Sequence, residues 1–143
     1  MSRRRVIGHA PDRGAVAVEF ALLLPMLLLI VFGIIDFGRA LNAQITLTQA
    51  AREGARVDSL GSASQVCNRT KAAAIGLNLT CANVIVTYQC QTGDGQKNLD
   101  AQVQATDSFS FVTPVGAIAG LFGGSGFGSP ITLSAQGVMP CET

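Results

Sequence analysis

The residues with chemistry to offer are few: Cys67, Cys81, Cys90 and Cys141, a lone His9, and Glu19, the only ionisable residue between Ala15 and Ile35. A histidine base or metal ligand has a single candidate near the start of the chain, which leaves His-based chemistry without support. Structural zinc favours paired spacings such as Cys-x2-Cys, and no such pair occurs. A cysteine nucleophile needs a basic partner, and no histidine follows residue 9. An even set of cysteines beyond an apolar run instead suits two disulfides in an oxidising compartment. Four cysteines allow three pairings. The favoured one joins Cys67 to Cys81, tying a short helix to the first strand, and Cys90 to Cys141, tying the end of that strand to the last residues. No catalytic residue, metal or cofactor is expected.

The elements that must position these residues follow from composition. The chain has 143 residues, 48% hydrophobic and 13% charged, with a mean hydropathy of +0.39. The charged share is about half the ~25% of an ordinary soluble domain, and such apolarity excludes disorder throughout. Ten basic residues against nine acidic ones offer no strong attraction for phosphate, so no nucleic-acid partner is expected. The charge is uneven. Arg3, Arg4, Arg5 and Arg13 stand against Asp12 at the start, and the remainder is slightly acidic.

Directly after the basic stretch comes AVAVEFALLLPMLLLIVFGII, Ala15 to Ile35. As a helix it is about 31 Å long, which matches a hydrocarbon core of ~30 Å. Leu22–Leu24 and Met26–Phe32 leave no polar face, unlike a surface helix of a globular protein. The preceding arginines keep the N-terminus cytoplasmic and send the C-terminal part across the membrane. A cleaved secretory signal is the competing interpretation, but its apolar core is usually ~7–15 residues. The best small-residue cut, near Asn42-Ala43, has Leu41 where a small side chain is preferred. A carboxylate within lipid costs roughly 2.5–3.5 kcal/mol, so Glu19 is either paired or near enough to the interface to reach water. Pro25 removes one helical hydrogen bond and predicts a kink, which a membrane helix tolerates.

Gly14-Ala15-Val16-Ala17-Val18-Glu19-Phe20 resembles a prepilin cleavage site, with the cut after Gly14, an acid at mature position five and an aromatic next. With Leu24-Pro25, Phe32-Gly33-Ile34-Ile35-Asp36-Phe37-Gly38-Arg39 and Ala50-Ala51-Arg52-Glu53-Gly54-Ala55-Arg56, the first 56 residues or so are similar to the TadE-like family of minor pilins (pseudopilins) of the tight-adherence (Flp-type) pilus system. The likeness is looser beyond. It implies a structural protein of the bacterial inner membrane, single-pass and able to enter the pilus, rather than an enzyme. The implied partners are a prepilin peptidase, other pilin and pseudopilin subunits, the inner-membrane pilus assembly machinery and the lipid bilayer. Cleavage removes residues 1–14, and the new amine of Ala15 lies one turn from Glu19. Pairing the two neutralises charges that lipid or a filament core would reject.

The expected fold class is α+β: a long N-terminal helix, transmembrane over 15–36 and amphipathic over 37–60, packed on a small exported antiparallel sheet within residues 61–143. Phe37, Leu41, Ile45, Thr48, Ala51 and Ala55 form the predicted docking face. Asn42, Thr46, Gln49, Glu53 and Arg56 point away, and Gly61 stops the helix. Gly33, Gly38 and Gly54 permit close packing on partner helices. Asp36 and Arg39 mark the outer membrane boundary. A short helix is predicted over Ser64–Leu77 with Ser64 as its cap. Strands are predicted at Val84–Tyr88, over 101–112 and from Ile131 to about Met139, with a turn at Thr92–Gly95. Val115 to Ser129 is glycine-rich and lacks the lysine of a phosphate loop, so it is read as a mobile loop. Two function classes remain: the pilin-like subunit, and a membrane-anchored binding module with an uncleaved anchor. A secreted enzyme released near residue 44 is a third and lacks a catalytic group.

Overall fold

The computed structural model describes residues 13–90, 98–121, 123 and 128–142. The leader over 1–12, the expected turn at Thr92–Gly95 and part of the glycine-rich segment lie outside these residues.

Helix α1 runs without interruption from Arg13 to Ser59, 47 residues. Its first half is mostly Ala, Leu, Ile, Val and Phe, whose side chains do not compete with the backbone for hydrogen bonds. Pro25 lies inside it, where the ring cannot donate to the carbonyl of Ala21. The helix ends as its sequence predicts. Gly61 takes a φ of 77°, its N–H bonds the Asp58 carbonyl at 2.9 Å, and the Ser62 N–H bonds the Val57 carbonyl at 3.1 Å. This crossed pair satisfies the last carbonyls of the helix.

A 3-10 turn, Ala63–Gln65, leads into α2, Val66–Ala73. Helix α2 is shorter than the expected Ser64–Leu77, and Ser64 lies in the turn rather than capping it. The helix closes because the Ala74 N–H still bonds Thr70 and Lys71, whereas the Leu77 N–H reaches back only to Ala74. Gly76, at a φ of 82°, then turns the chain away. Another 3-10 turn, Cys81–Asn83, precedes strand β1, Val84–Tyr88. Strands β2, Asp100–Phe109, and β3, Ile131–Pro140, complete an antiparallel sheet of order β1-β2-β3. The β2–β3 ladder is unbroken from Asp100↔Pro140 to Phe109↔Ile131, whereas the β1 register shifts between Val86 and Tyr88. Strand β2 stops at Phe109, short of the expected residue 112, because the chain there leaves the sheet for α1. The glycine-rich segment is not loop throughout. It opens with α3, Val115–Leu121, begun by Pro114, whose carbonyl accepts the Ile118 N–H at 3.0 Å.

The second half of α1 lies across β2 and β3. The core between them is small-sided: Leu47, Ala50, Ala51 and Ala55 of α1 meet Val103, Ala105 and Ala135 of the sheet, with Val66, Ala74 and Leu79 closing the side. Small residues bring the backbones together. A Cβ on Gly137 would strike the Ala51 carbonyl group and the Arg52 nitrogen, and one on Gly54 would strike the Thr70 hydroxyl. This closeness overturns part of the predicted docking face. Ala51 and Ala55 are buried, but Phe37, Leu41 and Ile45 are 65%, 48% and 59% exposed. The buried stripe instead passes through Asp36, Ala43, Leu47 and Ala50, because the sheet comes closest where α1 is narrowest. Gly54 packs within its own domain, whereas Gly33 and Gly38 have nothing within 4 Å of an added Cβ. Disulfides join Cys67 to Cys81 and Cys90 to Cys141, each with Cα atoms 5.5 Å apart.

Candidate functional site

The processing and assembly residues all lie on the first part of α1. Gly14 and Ala15 open the helix just after Arg13, and nothing stands within 4 Å of a Cβ added to Gly14. Glu19 follows Ala15 by one turn, about 6 Å along the axis, and both it and Phe20 are exposed. Val16, Val18, Phe20, Leu22 and Leu23 are each more than half exposed, and none of the most apolar part of α1 is buried by the rest of the chain. Among the described residues, α1 is the helix long and apolar enough to cross a membrane. This uncovered surface has no aqueous rationale: a bilayer or neighbouring apolar helices must take it. The arrangement can enter lipid and present an acid near the head of the helix. No group of three or more His, Cys, Asp or Glu able to hold a metal occurs among the described residues.

A second cluster, which the sequence does not reveal, closes the lower end of the head. Asp36 is 2% exposed. Its Oδ1 accepts the Arg39 guanidinium and the Val112 N–H, each at 3.3 Å, and its Oδ2 accepts the Thr113 hydroxyl. Arg39 lies 5.3 Å over the Phe109 ring, and Phe109 meets Phe111 edge-to-face with centroids 5.5 Å apart. Asp36 is therefore more than a boundary marker: it fastens α1 to the segment that leaves β2. An Asp and an Arg three residues apart at the end of an apolar run are a visible signal. Thr113, 77 positions away, is not.

At the other end of the head, Asp58 is 1% exposed and its Oδ2 accepts the Cys90 N–H at 3.1 Å. Burial pushes its carboxyl above the usual aspartate value, and the Cys90 N–H partly opposes this. Cys90 is thus held twice, by its disulfide and by Asp58.

The described residues thus form a long, exposed apolar helix carrying a disulfide-bonded helix-on-sheet head. Residues 14–56 match the family model described as TadE-like protein, the family that the Gly14–Phe20 motif and the Gly54-Ala55-Arg56 tail resemble. The matched stretch lies within α1 and includes Glu19, Pro25 and Asp36. The family it points to is a structural one associated with the tight-adherence pilus. No curated protein and no solved structure matches the chain.

Proposed function

We infer that the chain is a minor pilin (pseudopilin) that initiates or supports assembly of tight-adherence pili. A prepilin peptidase cuts after Gly14, residues 15–36 hold the subunit in the inner membrane with its N-terminus cytoplasmic, and the head over 61–143 is exported. On entry into an assembly, Glu19 pairs with an Ala15 amine, its own or a neighbour's, and sets the axial register. The observation that carries this reading is the apolar stretch of α1, none of it buried by the head and led by Gly14, Glu19 and Phe20. Its length suits a bilayer, its exposed surface suits packing with like helices, and a cation stabilises its lone acid in either setting. Proline at 25 suits a helix that must yield locally as it passes from lipid to assembly.

The test is the intact mass of membrane-extracted protein from cells with and without the peptidase. The expected mature species begins at Ala15, and peptidase-deficient cells retain residues 1–14. A chain that keeps its arginines in wild-type cells is instead the membrane-anchored binding module. Glu19→Gln is expected to insert normally and be lost from sheared fibres, and undiminished incorporation refutes the pairing.

A further inference from the structure

No charged residue occurs between Asp107 and Glu142. This is the longest uncharged stretch of the head, and it includes Phe111–Thr113, α3 and β3. Its lower part sits at a defined height on α1. Asp36 holds Val112 and Thr113 level with the end of the apolar segment. Phe111, Gly128 and Ile131 border the same cavity of about 710 Å³ as Leu29 and Gly33. With a rise of ~1.5 Å per residue, Gly33 lies about 5 Å and Leu29 about 10 Å below Asp36, towards the cytoplasm. Parts of the head therefore descend beside the last turns of the span. The surfaces they expose there are uncharged and largely apolar, with Ser110 and Ser129 among them: Val112 is 71% and Ile131 41% exposed, and Ala117 of α3 is exposed. The far end of the head, where Leu99 precedes β2 and its carbonyl accepts the Cys141 N–H, is flanked instead by Asp100 and Glu142.

We propose that this uncharged underside, Val112 and α3 in particular, is a second membrane contact, seated in the outer interface of the bilayer that α1 crosses. The inference rests on the reading of residues 15–36 as a span. The occupant is lipid because Val112, Gly128 and Ile131 lie at the depth of Leu29–Asp36, where a membrane-inserted chain meets acyl chains and headgroups first. There α3 follows closely on Thr113, with its Gly116 against Gly128. Helix α3 is about 10 Å long, far short of the ~30 Å needed to cross, so it lies on the membrane. Its backbone bonds are closed within the helix or by interfacial water, as contact with lipid requires. The absence of charge removes the desolvation cost that would keep such a surface in water.

The chain contains no tryptophan, so a single introduced one reports alone. Leu27→Trp, Val112→Trp, Ala117→Trp and Leu99→Trp are made separately in the full chain and reconstituted into phosphatidylcholine vesicles carrying acyl-chain bromines, placed deep for the first variant and near the headgroup for the others. Trp at 27, 112 and 117 is expected to emit at shorter wavelength and lose most of its intensity to bromine, while Trp at 99 is unaffected. Quenching at 27 without quenching at 112 and 117 overturns the proposal and leaves the span intact. Blue-shifted but unquenched emission at 112 and 117 that depends on protein density assigns the surface to a second copy, which also overturns it. Absence of quenching at 27 removes the span and this inference with it.

Discussion

A carboxylate withdrawn from water holds its proton to higher pH, and Asp58, 1% exposed, is such a group. Its raised native value means that the folded chain keeps a proton that the unfolded chain releases near pH ~3.9. Stability therefore falls as pH rises from about 4 through the native value and is flat above it. Asp58→Asn, still able to accept from Cys90, is expected to lack this decline. The check is the difference in denaturation midpoint between wild type and variant from acid to neutral pH, and a constant difference contradicts the assignment. Gly137→Ala tests the close approach of β3 to α1. Its Cβ meets backbone rather than a yielding side chain, so a loss of about 1–3 kcal/mol in denaturant unfolding is expected. Residues of this kind divide sharply in legibility. Gly14, Glu19 and the cysteines stand out because each contrasts with its neighbours. The burial of Asp58 does not, because its partner Cys90 lies 32 positions away, and nothing local to Gly137 announces the helix above it.

At the scale of elements, α1 and the three strands were largely readable: the apolar run, the Gly61 stop and the alternation of Val84–Tyr88 each carry a local cause. The failures share a tertiary origin. Phe37, Leu41 and Ile45 satisfy helical periodicity yet face outwards, because periodicity does not say that a sheet prefers the alanine side. Helix α3 was hidden by its glycines, and the end of β2 was set by Asp36 on a distant helix. Two predictions belong here. Asp36→Ala leaves the Val112 amide without its acceptor, and its hydrogen-exchange protection is expected to drop at least tenfold, the equivalent of ~1.4 kcal/mol, within the ~1–3 kcal/mol of such a lost bond. Unchanged exchange would show that packing alone holds the segment. The disulfides differ in the loops they close. Replacing Cys90 and Cys141 together by serine is expected to cost about 4 kcal/mol, and replacing Cys67 and Cys81 about 3 kcal/mol, by loop entropy. The midpoints of the two double variants in denaturant test that order.

For the whole molecule, the sequence conveyed the division into a bare apolar helix and a folded head, because charge and hydropathy partition along the chain. It did not convey how rigidly the halves are joined. The predicted outcome at this scale is that the mature protein, trimmed at Gly14, keeps the same head. Circular dichroism of the head and both disulfides should be identical before and after peptidase treatment, since Cys67, Cys81, Cys90 and Cys141 all lie far along the chain from the cut. A change in either would mean that the leader reaches the head. The rigidity itself comes from Asp36. Because α1 passes unbroken from its exposed apolar half into the head, and Asp36 pins the neighbouring segment where the two meet, no break in the helix separates stalk from cap. Beyond Pro25, a roll or tilt imposed on the rod by its neighbours turns the outer portion with it, as a key's bow follows its blade.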